Sequence, residues 1–353
     1  MFLPHFVILK NESPCDHQVW IDACNNFTDK LTFHIVDLTK NDWIDNLLNL
    51  PEVDCLLAKP GGLTATFKQL YDERVNILSK ELGYKIFPTL DEILIYENKR
   101  YFSYWLKAHG LPHPATNVFY NKVEAEDFLD TTSFPVVAKI NIGASGSGVK
   151  ILKSKTDAQS YIHNAFQNGI SSQSGPRMDK GRLFRRAWRK LTHPSELKSR
   201  ILVYKSIAAD LQKGFVIFQE YVSHDFEWRV VRIGESFFAH KKIVKNEKAS
   251  GLLLKGYETP PLGLLTFVKE ITDRFHFYSQ AVDIFESPGG YLINEMQCIF
   301  GQSDPYQMLI DGKPGRYIYK NDMWEFEEGM FNTNKSYDLR IESILSILKE
   351  GKR

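Results

Sequence analysis

The sequence predicts an α/β protein, of α+β type after its first 90 residues, and three observations carry that prediction. Short apolar runs at Phe6–Leu9, Phe33–Val36 and Asp54–Ala58 alternate with helix-like stretches such as Thr66–Leu82, the pattern of a small open α/β domain. A strand at Phe134–Ile140, a glycine-rich loop and a second strand at Val149–Leu152 follow. Further on, Ala281–Phe285 and Tyr291–Asn294 read as a hairpin around Pro288-Gly289-Gly290.

At 353 residues the chain exceeds what one hydrophobic core usually serves, so two domains, or one domain with sub-lobes, are expected, with clefts. Its 43% hydrophobic and 25% charged residues are those of a packed globular protein rather than a disordered one. A net charge of +1 gives no global attraction to nucleic acid or an anionic membrane, so any such attraction must be local, and nucleic acid is not expected as a partner. Cys15, Cys24, Cys55 and Cys298 form no CxxC pair, which argues against a zinc site and a disulfide framework and for a reducing, cytoplasmic compartment. Met1–Lys10 lacks the features of a signal peptide, and no apolar run is long enough to span a membrane.

Within the first domain the Asp54–Ala58 strand ends at Lys59-Pro60-Gly61-Gly62, either a plain strand-to-helix turn or a loop approaching a ligand. From Thr89 the pattern changes. Ile93–His109 reads as one helix that stops at Gly110, before Pro112 and Pro114. A helix near Ala158–Asn168 precedes the polar stretch Ser171–Gly175. Strands are expected at Phe215–Phe218, Trp228–Ile233 and Ser236–Ala239, and a closing helix at Leu339–Leu348.

Asn141-Ile142-Gly143-Ala144-Ser145-Gly146-Ser147-Gly148 lies between strands. It therefore matches neither a GxxxxGK[ST] loop nor a GxGxxG turn, both of which open a helix. Lys139 ends the preceding strand, so a cation beside glycines and two hydroxyls can clamp phosphate; a plain hairpin connector fits the same residues. Phe218–Val222 is an apolar strand end whose backbone can meet the edge of a base, with Glu227 and Arg229 beyond it; a core segment with a surface ion pair is the other reading. Asp283 and Glu295 can be cross-strand neighbours, with Gln297 on the same face as Glu295. Two carboxylates so placed repel unless a cation lies between them, and oxygen-only ligation suits Mg²⁺; solvated strand-end acids are the alternative.

The ordered set Lys99, Lys139, the glycine loop, Glu220-Tyr221-Val222, Glu227 with Arg229, and Asp283 followed by Glu295 and Gln297 resembles the ATP-grasp superfamily. Its closest likeness is to the carboxylate–amine ligases that add glutamate to a ribosomal protein, and the match covers roughly residues 90–305. The resemblance implies two α+β lobes with a glycine-rich hairpin loop, preceded by a small open α/β domain. The division is then 1–90, and 91–353 split into a first lobe over 91–218, with a basic insertion at 171–200, and a C-terminal lobe over 219–353. It implies ATP and Mg²⁺ as cofactors. Lys99 and Lys139 would contact phosphate, and Gly143, Ser145, Gly146, Ser147 and Gly148 would cover it. Glu220, Tyr221 and Val222 would meet adenine, Glu227 the ribose, and Asp283, Glu295 and Gln297 the metal. Gln297 departs from the family's usual Asn. The stretch Ala239-His240-Lys241-Lys242 stands where relatives often place arginines, so Lys242 joins Arg229 as the catalytic cation.

The activity implied is ADP-forming ligation of a carboxylate and an amine through an acyl phosphate, with a hydroxyl kinase or a non-catalytic ATP-binding module as alternatives. The substrates would be small or carrier-linked. Arg177, Lys180, Arg182, Arg185, Arg186, Arg189 and Lys190 form a basic run, extending to residue 200, that reads as a solvated helix anchored by Phe184 and Trp188, as a site for an acidic substrate such as a nucleotide-linked sugar acid or an anionic polymer, or as a surface for nucleic acid or membrane. Lys255-Gly256-Tyr257 and Gly301–Asp304 are expected beside the acceptor, and a homo-oligomer is compatible with the sequence.

Overall fold

The computed structural model describes residues 3–143, 148–171, 205–207, 209–245, 248–249, 254–300 and 304–350. The basic run, Ser145, Gly146, Ser147 and Gly301–Ser303 lie outside them. Backbone contacts group the chain into two compact units, one of Met1–Gly61, Gln69–Pro114 and Val222–Arg353, the other of Gly62–Lys68 and Ala115–Tyr221.

In the first unit, β1 (His5–Lys10), β2 (Thr32–Asp37), β3 (Cys55–Ala58) and β4 (Ile86–Phe87) form a parallel sheet in the order β2-β1-β3-β4. Phe6–Leu9 and Cys55–Ala58 are buried throughout, as central parallel strands covered on both faces require. The intervening helices are α1 (Gln18–Asn25), α2 (Trp43–Leu48) and α3 (Ala65–Asn76), which belongs to this unit from Gln69 onward and runs into a π-helical turn at Ile77–Glu81. The core of this sheet is completed from the far end of the chain by Cys298, Ile299, Tyr337, Ile341 and Ile344, with Trp20 edge-on to Tyr337 at 4.6 Å.

The single helix expected over 93–109 is instead two, α4 (Leu90–Ile95) and α5 (Lys99–Ala108). The break has a local cause. Glu97 takes a left-handed backbone, φ 49°, and the Asn98 side chain accepts the Tyr101 N–H at 3.4 Å to start a new helix. At the other end of α4, Thr89 and Glu92 make a reciprocal capping box. The second Glu92 oxygen accepts the Ser279 N–H at 2.9 Å, tying α4 to the central sheet.

That sheet is antiparallel. Its main order is β14 (Gly290–Gln297), β13 (Ser279–Ser287), β9 (Phe226–Ile233), β10 (Ser236–Lys245), β16 (Lys313–Lys320) and β15 (Leu309–Ile310). β11 (Lys248–Ala249) and β12 (Lys255–Gly256) pair with β10, and β17 (Met323–Glu328) pairs with β16. One face is packed by α8 (Leu262–Arg274), whose Leu264, Leu265 and Val268 join Trp228, Val230, Phe238 and Phe277. The last helix, α9, spans Tyr337–Glu350.

The second unit carries β5 (Thr116–Phe119), β8 (Val216–Glu220), β6 (Val136–Lys139) and β7 (Val149–Leu152) in that spatial order, all antiparallel. Helices α6 (Lys122–Thr131) and α7 (Lys155–Gln167) cover it through Leu129, Ala158, Tyr161 and Ile162, packed with Ala138 and Phe218. The α/β class expected from the sequence is the class observed. Among the described residues no helix is long and apolar enough to cross a membrane.

Candidate active site

Strand register assembles the charged face of the first unit. Asp283 on β13 lies opposite Arg229 on β9 and Glu295 on β14, while on β10 Lys242 lies opposite Glu227 and His240 opposite Arg229. The cross-strand pairing of Asp283 with Glu295 expected from the sequence is therefore present. A register shift just after Asp283 breaks the regular alternation on that pair of strands.

The side chains form a closed ionic lattice. Arg229 grips Asp283 with two donors, Nε to Oδ1 at 2.7 Å and Nη2 to Oδ2 at 2.8 Å, the bidentate geometry that a guanidinium favours. Lys242 Nζ donates to Glu227 Oε2 at 2.6 Å and to Asp283 Oδ2 at 2.7 Å, bridging the two acids. Asn294 Nδ2 donates to Glu227 Oε1 at 3.2 Å, His224 stands 3.6 Å from the same oxygen, and Gln297 Oε1 accepts from Arg229 at 3.4 Å.

Asp283 is 1% exposed and Lys242 6%, so each charge depends on the others to offset its lost hydration. Burial pushes the Asp283 carboxyl up, but Arg229 and Lys242 outweigh it and hold the group well below the usual carboxylate range. Glu227 is likewise lifted by burial, and drawn down on balance by Lys242 and His224. Burial lowers Lys242, yet Asp283 and Glu227 leave it above its ordinary value. All three are thus charged at neutral pH.

Glu295 behaves differently. Burial raises its carboxyl, Lys99 opposes this, and Glu97 and Asp283 add to it. Lys99, at the start of α5, lies 3.5 Å from Glu97. His240 is pushed down to about 3 by burial and by Arg229 and Lys255, so it is neutral, and its Nδ1 lies 3.1 Å from the Gln307 carbonyl oxygen. Lys255 and Tyr257 both meet Asp304 Oδ2, at 2.6 and 3.0 Å, which brings together the described parts of the two segments expected beside an acceptor.

In the second unit, Lys139 closes β6 opposite Val149 and Ile217. The stem of the glycine loop is held by Gln212, whose Oε1 accepts the Asn141 and Ile142 N–H groups at 2.7 and 3.0 Å while Nε2 donates to the Ile142 carbonyl at 2.7 Å. Gly148 has φ 78° and packs against Ile140 so closely that a Cβ would collide with that side chain, so only glycine serves there. Glu220 ends β8 with its carboxylate 3.3 Å from the Ala115 N–H. Tyr221 ends this unit, and Val222, whose carbonyl lies 2.7 Å from His224 Nδ1, begins the next stretch of the first. Sequence reasoning missed Glu97, His224, Asn294 and Gln212. Asn294 and Glu97 flank expected site residues, whereas nothing in the local pattern marks Gln212.

The donor set of β13 and β14 is oxygen-only and suits a hard divalent cation. Asp283 is already engaged by Arg229 and Lys242, and Gln297 points its oxygen at Arg229, whereas Glu295 makes no hydrogen bond with any described residue. Among the described residues no three histidines, cysteines or acids lie close enough together to hold a metal ion by themselves, and Glu295 is the carboxylate of this strand pair left for a further ligand.

No known family profile matches the chain. It is 16% identical to the D-alanine–D-alanine ligase of Bacillus anthracis over 99% of both chains, with a TM-score of 0.54. It is 14% identical to a RimK-domain ATP-grasp protein of Sphaerobacter thermophilus, over 83% of this chain and 90% of that one, with a TM-score of 0.52. The chain therefore shares the fold of these ligase and ATP-grasp structures. By sequence, 93 residues are 31% identical to the phosphoribosylamine–glycine ligase of Chlorobaculum tepidum, 26% of this chain and 22% of that protein. The matches span less than a quarter of the length of the curated relatives.

Proposed function

We propose that the protein is an ATP-dependent, ADP-forming ligase that joins a carboxylate to an amine. The observation that carries this is the buried lattice of Glu227, Arg229, Lys242 and Asp283, with Glu295 across from Asp283, in an ATP-grasp fold. The names of the similar proteins, an amino-acid ligase and a glycine ligase, support the same chemistry.

In this reading Mg-ATP supplies the phosphoryl group that activates the acid. Lys99 and Lys139 hold phosphate oxygens, and the segment from Gly143 to Gly148, with Ser145, Gly146 and Ser147, covers them and excludes water. Glu220, Tyr221 and Val222 bond the adenine edge. Glu227 meets the ribose with the lone pairs that Lys242 and Asn294 leave it. Asp283, Glu295 and Gln297 hold Mg²⁺. Arg229 and Lys242 are fixed in place before substrate arrives, so they stabilise charge developing on the transferred group without reorganising. Lys242 keeps its proton because two carboxylates face it, which suits an electrostatic role and not that of a base. An anionic acid such as a sugar acid is the carboxylate we favour, on the strength of the basic run over 177–200, and a cytoplasmic site of action belongs to the same proposal.

The assay is nucleotide and product analysis with paired substrate pools. ADP and phosphate should form only when an acid and an amine are both present, together with an amide. AMP as product, or a stably phosphorylated hydroxyl compound, would overturn the reading.

A further inference from the structure

Glu97 has no place in the roles assigned above. It sits in the break between α4 and α5 at φ 49° and is 6% exposed, yet neither carboxylate oxygen accepts a hydrogen bond from a described residue. Lys99 Nζ at 3.5 Å offers charge but lies beyond the distance of a strong charge-assisted bond. A carboxylate withdrawn from water without a donor is costly, because nothing replaces its hydration. A left-handed backbone at a long side chain adds to that cost. Two such costs at one residue, beside the charged face, point to a missing partner.

A second observation says what the partner is. Glu295 also makes no hydrogen bond with a described residue, and it interacts electrostatically with both Glu97 and Lys99. Arg229 and Lys242 are committed to Asp283 and Glu227, so among the described residues one cation, Lys99, serves both Glu97, at 3.5 Å, and Glu295. Two donor-free carboxylates call for a cation that accepts oxygen ligands only, and nucleotide phosphates commonly complete the shell of such an ion.

We propose that Glu97 is a ligand, together with Glu295, for a divalent cation of the Mg²⁺ class bound with the nucleotide. This rests on the nucleotide reading of the same face and adds to it a ligand from outside the β13–β14 hairpin. The break between α4 and α5 then has a purpose, because a continuous helix would not hold Glu97 in this conformation.

The test is Mn²⁺ binding to the full chain in the presence of a non-hydrolysable ATP analogue, counted from the free-Mn²⁺ electron paramagnetic resonance signal. Glu97→Gln should lose one bound Mn²⁺ or weaken it roughly tenfold or more. Glu295→Gln should weaken the same ion, and the double variant should lose less than the two single effects combined, because both side chains act on one ion. In EDTA, Glu97→Gln should bind the analogue no worse than the parent and unfold at a higher temperature, since a buried charge without a hydrogen-bond donor is gone. Unchanged Mn²⁺ binding in Glu97→Gln overturns the proposal. So does weakened metal-free nucleotide binding, which would make Glu97 only a positioning residue for Lys99. If the parent binds neither nucleotide nor Mn²⁺, the nucleotide reading itself fails.

Discussion

Lys242 is held by two buried acids at once, and its removal should be felt first as instability. Lys242→Met keeps much of the volume but leaves Glu227 and Asp283 without their shared cation. A cost of about 3–5 kcal/mol is expected from breaking a buried pair in this way, read as a fall in the urea midpoint; an unchanged midpoint would mean that the lattice is not formed. Glu92 makes the stability depend on pH. Burial lifts its carboxyl from 4.5 to about 7, against the N–H groups of Thr89 and Ser279 that pull it down. Between those values the folded chain holds a proton that the unfolded chain has released, so Glu92's contribution is full below the lower value and declines as pH rises to the upper. The slope is at most about 1.4 kcal/mol per pH unit for one group. Urea midpoints measured across that window should fall with pH by this amount more in the parent than in Glu92→Gln; equal slopes would contradict it.

Among the elements, the glycine loop depends on a residue far along the chain. Gln212→Ala should leave the Asn141 and Ile142 N–H groups and one carbonyl without their partner, costing about 1–3 kcal/mol. Hydrogen exchange should quicken at those two amides while the amides of β8 stay protected; equal protection in parent and variant would show that the stem is held otherwise. The elements also show what sequence reading can see. β1 and β3 were legible because strands buried on both faces are continuous apolar runs. β10 was read only as far as Ala239, because His240 and Lys242 look like solvent-facing residues and are in fact inside, partnered across the sheet. The Asn98 cap was hidden within an apolar periodicity that runs on through it. β16 opens on Lys313-Pro314-Gly315 and β17 carries alternating acids, so both resembled turns and charged surface.

At the scale of the whole molecule, order along the chain was more informative than any local motif. Asp283, Glu295, Glu227, Arg229 and Lys242 are spread over four strands, and their order and spacing grouped them in the sequence before the register placed them on one face. Partners absent from that pattern, Glu97, His224 and Asn294, were not legible because their roles arise from packing. The core of the N-terminal sheet is closed by α9, so the first and last segments of the chain depend on each other for burial. On the proposed function, the charged face of β9, β10, β13 and β14 binds nucleotide with Mg²⁺. Calorimetric titration of the full chain with a non-hydrolysable ATP analogue, with Mg²⁺ and with EDTA, tests it most directly when repeated on the double variant Asp283→Asn, Glu295→Gln. Saturable, Mg²⁺-dependent binding in the parent, with the Mg²⁺ dependence lost in the double variant, is the predicted result; no binding in the parent, or the same Mg²⁺ dependence in a folded double variant, would contradict it.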